Sequence, residues 1–317
     1  MTVRLFIDGA AGTTGLEIRD RLKTCSDISL IALDDRVRKD AAARKAALNE
    51  ADVVILCLPD AAAREALSLI ENPAVRVIDA STAHRVADGW VYGFPELEKN
   101  RRAELRAAKR VSNPGCYPTG FLAIMRPLLR ENLLPADCPA TCNAVSGYSG
   151  GGREMIAEFE NESAPNYTRE TFRIYALQIE HKHVPEMQVH SGLHHRPLFA
   201  PGVGRFYRGM LVELPLQLWA LPGKPSVGAI HSVLADSYRN EPLIEVIGPE
   251  EAKTRKTLDA EEVKNTDRLR IYVFGNEAQQ QARVVAVLDN LGKGAAGACV
   301  QNLNVMLGWP EIRGLML

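Results

Sequence analysis

This chain of 317 residues has no surplus of charge: 38 Lys and Arg stand against 39 Asp and Glu, a net of −1. That balance excludes the basic face that nucleic acid or an anionic membrane surface selects, and it gives no acidic character for a basic partner. No apolar run approaches the length of a membrane span, and the apolar opening at residues 3–7 is too short for a secretory leader. Its cysteines (Cys25, Cys57, Cys116, Cys138, Cys142 and Cys299) are scattered, with no Cys-x-x-Cys pair. Cys138 and Cys142 lie four apart without a second ligand pair nearby, so neither a disulfide framework nor a zinc site is expected. A reducing cytoplasm fits this usage best. Internal repeats and low-complexity tracts are lacking too.

What is present begins with a nucleotide-binding pattern. Residues 3–7 read as a buried strand, residues 16–22 as a helix, and Asp8-Gly9-Ala10-Ala11-Gly12-Thr13-Thr14-Gly15 as the turn between them. Strand, glycine turn and helix together let backbone N–H groups receive a pyrophosphate, so Gly9, Gly12, Thr13, Thr14 and Gly15 are expected cofactor contacts. A side chain at Gly12 or Gly15 is expected to block the pyrophosphate or the helix–strand packing. The second strand, residues 28–33, ends in Asp34-Asp35-Arg36-Val37-Arg38-Lys39. An acid there holds a ribose 2′-hydroxyl and an arginine such as Arg36 accommodates a 2′-phosphate, so the residues leave NAD and NADP both open. Further apolar strands at residues 52–59 and 75–79 alternate with helical segments, the pattern of a doubly wound parallel sheet. Ser81, Thr82 and Arg85 follow the strand ending at Asp79, at the edge where such sheets bind ligands.

The centre of the chain is Ser112-Asn113-Pro114-Gly115-Cys116-Tyr117-Pro118-Thr119-Gly120. Apolar residues at three- and four-residue spacing follow, which places Cys116 in a turn just before a helix. Unpaired N–H groups and the positive helix end there favour the thiolate, the nucleophilic form. Ser146-Gly147-Tyr148-Ser149-Gly150-Gly151-Gly152-Arg153 is a hydroxyl- and glycine-rich loop closed by a cation. It suits an oxyanion, with Ser146, Ser149, Gly150 and Arg153 as the contacts. Residues 173–180 alternate like a strand and deliver His181-Lys182-His183-Val184-Pro185-Glu186. A cysteine nucleophile needs a base, and His181 and His183 are the leading candidates. Later strands are expected at residues 208–218, 243–247, 269–274 and 282–288 around one helix at 227–238, which suggests a mainly antiparallel sheet suited to dimerisation. Residues 292–304 read as a small-residue helix.

Taken together, the segments 9–15, 79–85, 92–97, 112–120, 146–153, 181–186 and 294–304 resemble the shorter variety of the N-acetyl-γ-glutamyl-phosphate reductase family, within the aspartate-semialdehyde dehydrogenase superfamily. The resemblance implies an α/β fold: a Rossmann-type domain at 1–115, then an α+β catalytic and dimerisation domain at 116–290. It also implies a C-terminal helix at 291–317 that returns to the first domain, with Asn302 near the nicotinamide. It further implies an arginine-biosynthesis enzyme that reduces an acyl phosphate with NADPH, needs no metal, and works as a homodimer or homotetramer. Cys116 then carries a thioester, His181 or His183 moves the proton, and Asn113, Arg85 and Arg153 meet the substrate or its phosphate. Two alternatives stay open: a sister enzyme for aspartyl or carrier-bound aminoadipyl phosphate, and a nucleotide-sensing regulator with Cys116 as a redox switch.

Overall fold

Short apolar runs ended by glycine, proline or a polar residue form the buried strands of this chain. The computed structural model describes residues 2–23, 25–34, 36 and 40–317; Asp35 and Arg38 of the stretch proposed for the ribose lie outside them. The chain divides into two compact units, Met1–Pro114 with Ala295–Leu315, and Gly115–Gly294 with Met316–Leu317.

The first unit contains β1 (Val3–Asp8), α1 (Thr13–Leu22), β2 (Ile28–Ile31), α2 (Ala41–Glu50), β3 (Val53–Leu56), α3 (Asp60–Ser68), β4 (Arg76–Asp79), β5 (Val91–Tyr92), α4 (Arg101–Ala107) and β6 (Arg110–Ser112). Its sheet runs β2-β1-β3-β4-β6-β5 with every pairing parallel, as the alternating strand and helix pattern predicts. Period-two alternation explains why these strands are apolar throughout: Leu5, Ile7, Val53, Ile55 and Ile78 enter one core, and Phe6, Val54, Leu56 and Val77 enter another. The register sets Asp8 beside Leu56, Leu56 beside Asp79, and Asp79 beside Ser112, so the carboxyl ends of four strands are level.

The second unit begins with α5 (Cys116–Arg130) and continues through β7 (Thr141–Gly147), α6 (Gly152–Glu160), β8 (Phe172–Ile174), α7 (Val184–Ser191), β9 (Leu198–Gly204), β10 (Met210–Gln217), α8 (Val227–Ser237), β11 (Ile244–Val246), α9 (Pro249–Thr254), β12 (Leu269–Asn276) and β13 (Gln281–Leu288). Its sheet runs β11-β12-β13-β10-β7-β9-β8. It is mainly antiparallel, as expected; only β11 with β12 and β7 with β9 run parallel. Helix α5 lies close on this sheet at Gly120, where a Cβ would stand 2.7 Å from Val212 Cγ2.

Two sequence expectations are corrected. Cys116 is the first residue of α5 rather than a turn residue, with Gly115 as the N-cap. Residues 173–180 are not one strand: β8 stops at Ile174, and the chain then turns through Ala176 (φ 54°) and Ile179 (φ 58°). The alternation there is real, but left-handed backbone at two positions ends the pleat. His181 and His183 therefore do not share a strand face; His183 is the N-cap of α7.

After a wide turn at Gly292–Ala296, α10 (Gly297–Leu307) belongs to the first unit. Ala296, Cys299, Val300, Leu303, Val305 and Met306 join Leu5, Ile7, Ile18 and Ile55 in one core.

Candidate active site

The thiol half lies in the second unit. Gly115 has extended backbone and no side chain with which to cap α5. Its own N–H is taken by Glu186 Oε1 at 2.8 Å, and Glu186 is 1% exposed. A buried acid from the first turn of α7 thus fixes the residue immediately before Cys116. On another side, Gly294 approaches so closely that a Cβ there would stand 2.9 Å from Cys116 Cβ.

The residue after Cys116 gathers the histidines. Tyr117 is buried, with its ring centroid 6.2 Å from that of His181 and 5.9 Å from that of His183. The two imidazoles are 4.7 Å apart, and His181 also packs against Phe199 at 5.2 Å and Tyr175 at 5.7 Å. The backbone N–H of His183 donates to His181 Nδ1 at 3.2 Å, so neutral His181 carries its proton on Nε2. Tyr175 donates to the Tyr117 hydroxyl at 3.1 Å, and Tyr117 donates to Gly202 O at 3.2 Å. Burial, then the neighbouring Tyr175 and Cys116, raises the Tyr117 phenol well above its usual range. Burial also pushes Tyr175 up to about 12, so it remains a donor at neutral pH. The structure thus groups His181 and His183 around Tyr117, next in sequence to Cys116.

The expected oxyanion loop is the end of β7 and the turn into α6. Ser146 and Ser149 are buried, whereas Gly150 and Arg153 are exposed. Ser146 Oγ donates to Gly147 O at 3.1 Å, and Ser149 Oγ accepts from Asn290 Nδ2 at 2.9 Å. Asn290 Oδ1 in turn accepts from Gly209 N–H at 2.8 Å. Glu186, Tyr175 and Asn290 went unread in the sequence. Only Glu186 left a signal there, as the acid that closes the His-x-His-x-x-Glu run. Among the described residues no three His, Cys, Asp or Glu side chains group to hold a metal.

The nucleotide half lies in the first unit. Gly9 (φ 88°) sits so tightly that a Cβ would fall 2.3 Å from Cys57 O, and one at Gly15 would fall 2.5 Å from Gly9 O. Gly12 differs, because a Cβ there meets nothing nearer than Gly9 O at 3.4 Å. Gly12 is the N-cap of α1 without a side-chain cap, and the first turn, with Thr13 and Thr14, holds no acidic residue. Uncapped N–H groups behind a bare glycine fit a dinucleotide's pyrophosphate. Arg36 is exposed, its backbone N–H held by Asp34 Oδ1 at 2.9 Å.

The other candidates of this unit are built into a polar frame. Buried Asp79 accepts from Ser81 N–H at 2.9 Å and from Ser81 Oγ at 2.7 Å, and it meets His84 Nδ1 at 2.6 Å. Arg85 donates to Asn113 O at 3.0 Å and Ala80 O at 3.1 Å. Asn302 is fully buried, its Nδ2 donating to Gly93 O at 2.7 Å and to Asn113 Oδ1 at 3.0 Å. In the turn at residues 92–97, Gly93 makes room for the Asn302 amide, since a Cβ there would lie 2.4 Å from Nδ2.

Comparison with known proteins agrees with both halves. Residues 4–105 match the family model "Semialdehyde dehydrogenase, NAD binding domain", and residues 116–290 match "Semialdehyde dehydrogenase, dimerisation domain". The aspartate semialdehyde dehydrogenase II of Vibrio cholerae, solved with ASA, covers 97% of this chain and 99% of its own at TM-score 0.72 and 14% identity, a likeness of fold. Far more similar in sequence is N-acetyl-gamma-glutamyl-phosphate reductase 2 of Nostoc sp., 51% identical over 98% of this chain and 99% of that protein. The N-acetyl-gamma-glutamyl-phosphate reductase of Brucella anthropi is 49% identical over 97% and 99%. With a glycine cradle in one unit, a helix-start cysteine in the other and that likeness over nearly the whole length, the chain belongs to the N-acetyl-gamma-glutamyl-phosphate reductase family of semialdehyde dehydrogenases.

Proposed function

We propose that this chain reduces N-acetyl-L-glutamyl 5-phosphate to N-acetyl-L-glutamate 5-semialdehyde, releasing phosphate, with NADPH as reductant, as a step of arginine biosynthesis. The observation that carries the reading is Cys116 at the first position of α5, its preceding N–H fixed by Glu186, in a chain about half identical to reductases of that name. The thiolate attacks the acyl carbon, the C–O bond to phosphate breaks, and the acyl group is held as a thioester, a better hydride acceptor than the parent carboxylate. N–H groups in the first turn of α5 face the oxyanion formed on the way. Arg153 and the Ser146–Ser149 turn take the departing phosphate, with Asn113 and Arg85 as substrate contacts.

When bound, the nicotinamide would supply hydride; Gly9, Gly12, Gly15 and the first turn of α1 would hold its pyrophosphate, and Arg36 is proposed for the 2′-phosphate. Ser81, held on Asp79, and Asn302, held on Gly93 and Asn113, are the further proposed contacts and would face the cofactor from rigid positions. His181 is the proposed proton-handling group: its Nε2–H would hydrogen-bond the oxyanion that hydride addition leaves on the thiohemiacetal carbon, and as the C–S bond breaks that oxygen re-forms the aldehyde carbonyl and Cys116 departs as thiolate. His183 is the second imidazole of the pair. The match of residues 116–290 to a dimerisation domain supports a homodimer or homotetramer. All six cysteines are free thiols, which supports a reducing cytoplasm.

The test is phosphate-dependent NADP reduction with N-acetylglutamate semialdehyde beside aspartate semialdehyde. Turnover of the acetylated substrate and its loss in Cys116→Ser are expected, with NADPH binding intact in the variant. Preference for aspartate semialdehyde, or more than a few per cent of kcat left in Cys116→Ser, would sink the reading.

A further inference from the structure

The polar frame at the end of β4 holds one titratable group that the proposed reaction does not use. Asp79 is fully buried and both of its carboxylate oxygens are engaged. Oδ1 accepts from Ser81 N–H, and Oδ2 accepts from Ser81 Oγ at 2.7 Å and from His84 Nδ1 at 2.6 Å. An ionised carboxylate can only accept, so the proton between Asp79 and His84 sits on Nδ1. The neutral imidazole then keeps its lone pair on Nε2, as an acceptor. One ring face lies flat on Trp90, with centroids 4.2 Å apart and planes 10° from parallel. Trp90 itself packs on the core that contains Val54, Leu56 and Val77. An imidazole gripped at Nδ1 and along one face has a fixed Nε2 direction. His84 is 8% exposed, and the edge that Asp79 does not hold is the one that carries Nε2.

The loop that carries His84 is laced to the neighbouring strand end. Thr82 N–H and Oγ1 both donate to Asp60, at 3.0 and 2.8 Å, and Asp60 opens α3 just after β3. Ala83 N–H donates to Ser81 Oγ at 3.1 Å. Residues 81–84 are thus fastened at the carboxyl ends of β3 and β4. In the order β2-β1-β3-β4 the direction of winding reverses between β1 and β3, and that crevice is where a dinucleotide lies. With the pyrophosphate at the glycine turn after β1 and the adenosine ribose at the end of β2, the other half of the dinucleotide is left to β3 and β4. That half brings a ribose with two hydroxyl donors.

We propose that His84 Nε2 accepts a hydrogen bond from a hydroxyl of the nicotinamide-side ribose, with Asp79 and Trp90 as the groups that aim it. The inference rests on the nucleotide site proposed above and adds to it a contact for the half of the cofactor that carries the hydride. Asp79 does two tasks in this arrangement: it fixes the tautomer of His84, and it holds Ser81 beside it. A ribose fastened there limits the swing of the nicotinamide ring it carries, so the bond bears on turnover as well as on affinity.

The test is calorimetric titration of the full chain and of His84→Phe with two probes, NADPH and 2′,5′-ADP, which carries the adenosine half alone. Phenylalanine keeps a ring against Trp90 and removes both nitrogens. The variant is expected to lose about 2- to 10-fold in NADPH affinity, the worth of one neutral hydrogen bond, with 2′,5′-ADP affinity unchanged. Equal losses for both probes mark a structural residue, and no loss for either marks an idle one; both overturn the proposal. The imidazole nitrogen-15 spectrum of the wild type supplies a readout that needs no substitution and decides alone if His84→Phe does not fold. His84 Nε2 is expected to move upfield, as an acceptor nitrogen does on taking a hydrogen bond, with NADP and not with 2′,5′-ADP. An NADPH-selective loss beside an unmoved Nε2 traces to Ser81 through Asp79 and overturns the contact. A wild type that binds no NADPH overturns the nucleotide site and the contact together, whereas NADPH binding with Nε2 unmoved overturns the contact alone.

Discussion

For a single side chain, the decisive bond is the one from Gly115 N–H to Glu186. Glu186→Ala strands a buried donor, at about 1–3 kcal/mol, and removes the group that orients the start of α5. Misplacement near an ångström costs on the order of a hundredfold in rate, so kcat is expected to fall about 10- to 100-fold with NADPH affinity unchanged. Glu186→Gln keeps an acceptor and should retain most of the turnover; steady-state kinetics of the two variants check this. The thiols are separable by their surroundings. Burial pushes Cys57 up to about 12 and raises Cys142 and Cys299 as well, so at pH 7 these three stay neutral and unreactive. Limiting iodoacetamide is therefore expected to mark Cys116 before them, in step with loss of activity. Peptide mapping that finds Cys57 labelled first would contradict it.

The glycines between β1 and α1 divide between ligand and scaffold. A side chain at Gly15 collides with Gly9 O and Ala10 Cα, so Gly15→Val is expected to lower the melting temperature of the apo protein. Gly12 has room, so Gly12→Val is expected to keep that temperature and weaken NADPH binding by tenfold or more, about 1.4 kcal/mol, read by titration. Unchanged affinity in the folded Gly12 variant would remove that glycine from the cofactor site. The sequence suggested equal roles because spacing does not report what each missing Cβ would touch. It was informative where apolar runs lie between glycine turns, and β1 to β4 were all legible for that reason. β9 was not, because Pro201, Gly202 and Gly204 interrupt its pattern, although it lies beside β7 along seven paired residues. The false strand at residues 173–180 failed the opposite way: its alternating apolar side chains face outward on a turn. In the candidate site, Cys116 and the His181–His183 pair stood out by residue type and spacing. Glu186 closes the His-x-His-x-x-Glu run, but nothing in that run points to its partner Gly115, 71 positions away.

Across the whole molecule, the first unit is discontinuous in sequence. α10 contributes Cys299, Val300, Leu303 and Met306 to the core around Leu5, Ile7 and Ile55, and Arg76 Nη1 donates to Met306 O at 2.6 Å. From within the helix, Gln301 donates to Glu96 and Glu311 at 2.8 and 2.7 Å, and Arg102 holds Glu311 at 2.7 Å. Burying an apolar side chain is worth about 1.5–3 kcal/mol, so losing four costs about 6–12 kcal/mol, comparable with the whole stability margin of most domains. A chain ending at Gly294 is therefore expected to bind no NADPH and to show a first unit without cooperative unfolding. Calorimetry of that truncation beside the full chain measures it, and a native-like melt of the first unit would refute the dependence. The same arrangement dictates timing during synthesis. Residues that open the core leave the ribosome almost three hundred codons before those that close it. A nascent chain therefore exposes one face of its parallel sheet through most of translation, and the capacity to hold a nucleotide arrives only with the last helix. An incomplete copy released early cannot sequester cofactor, and its open face marks it for chaperones or proteases.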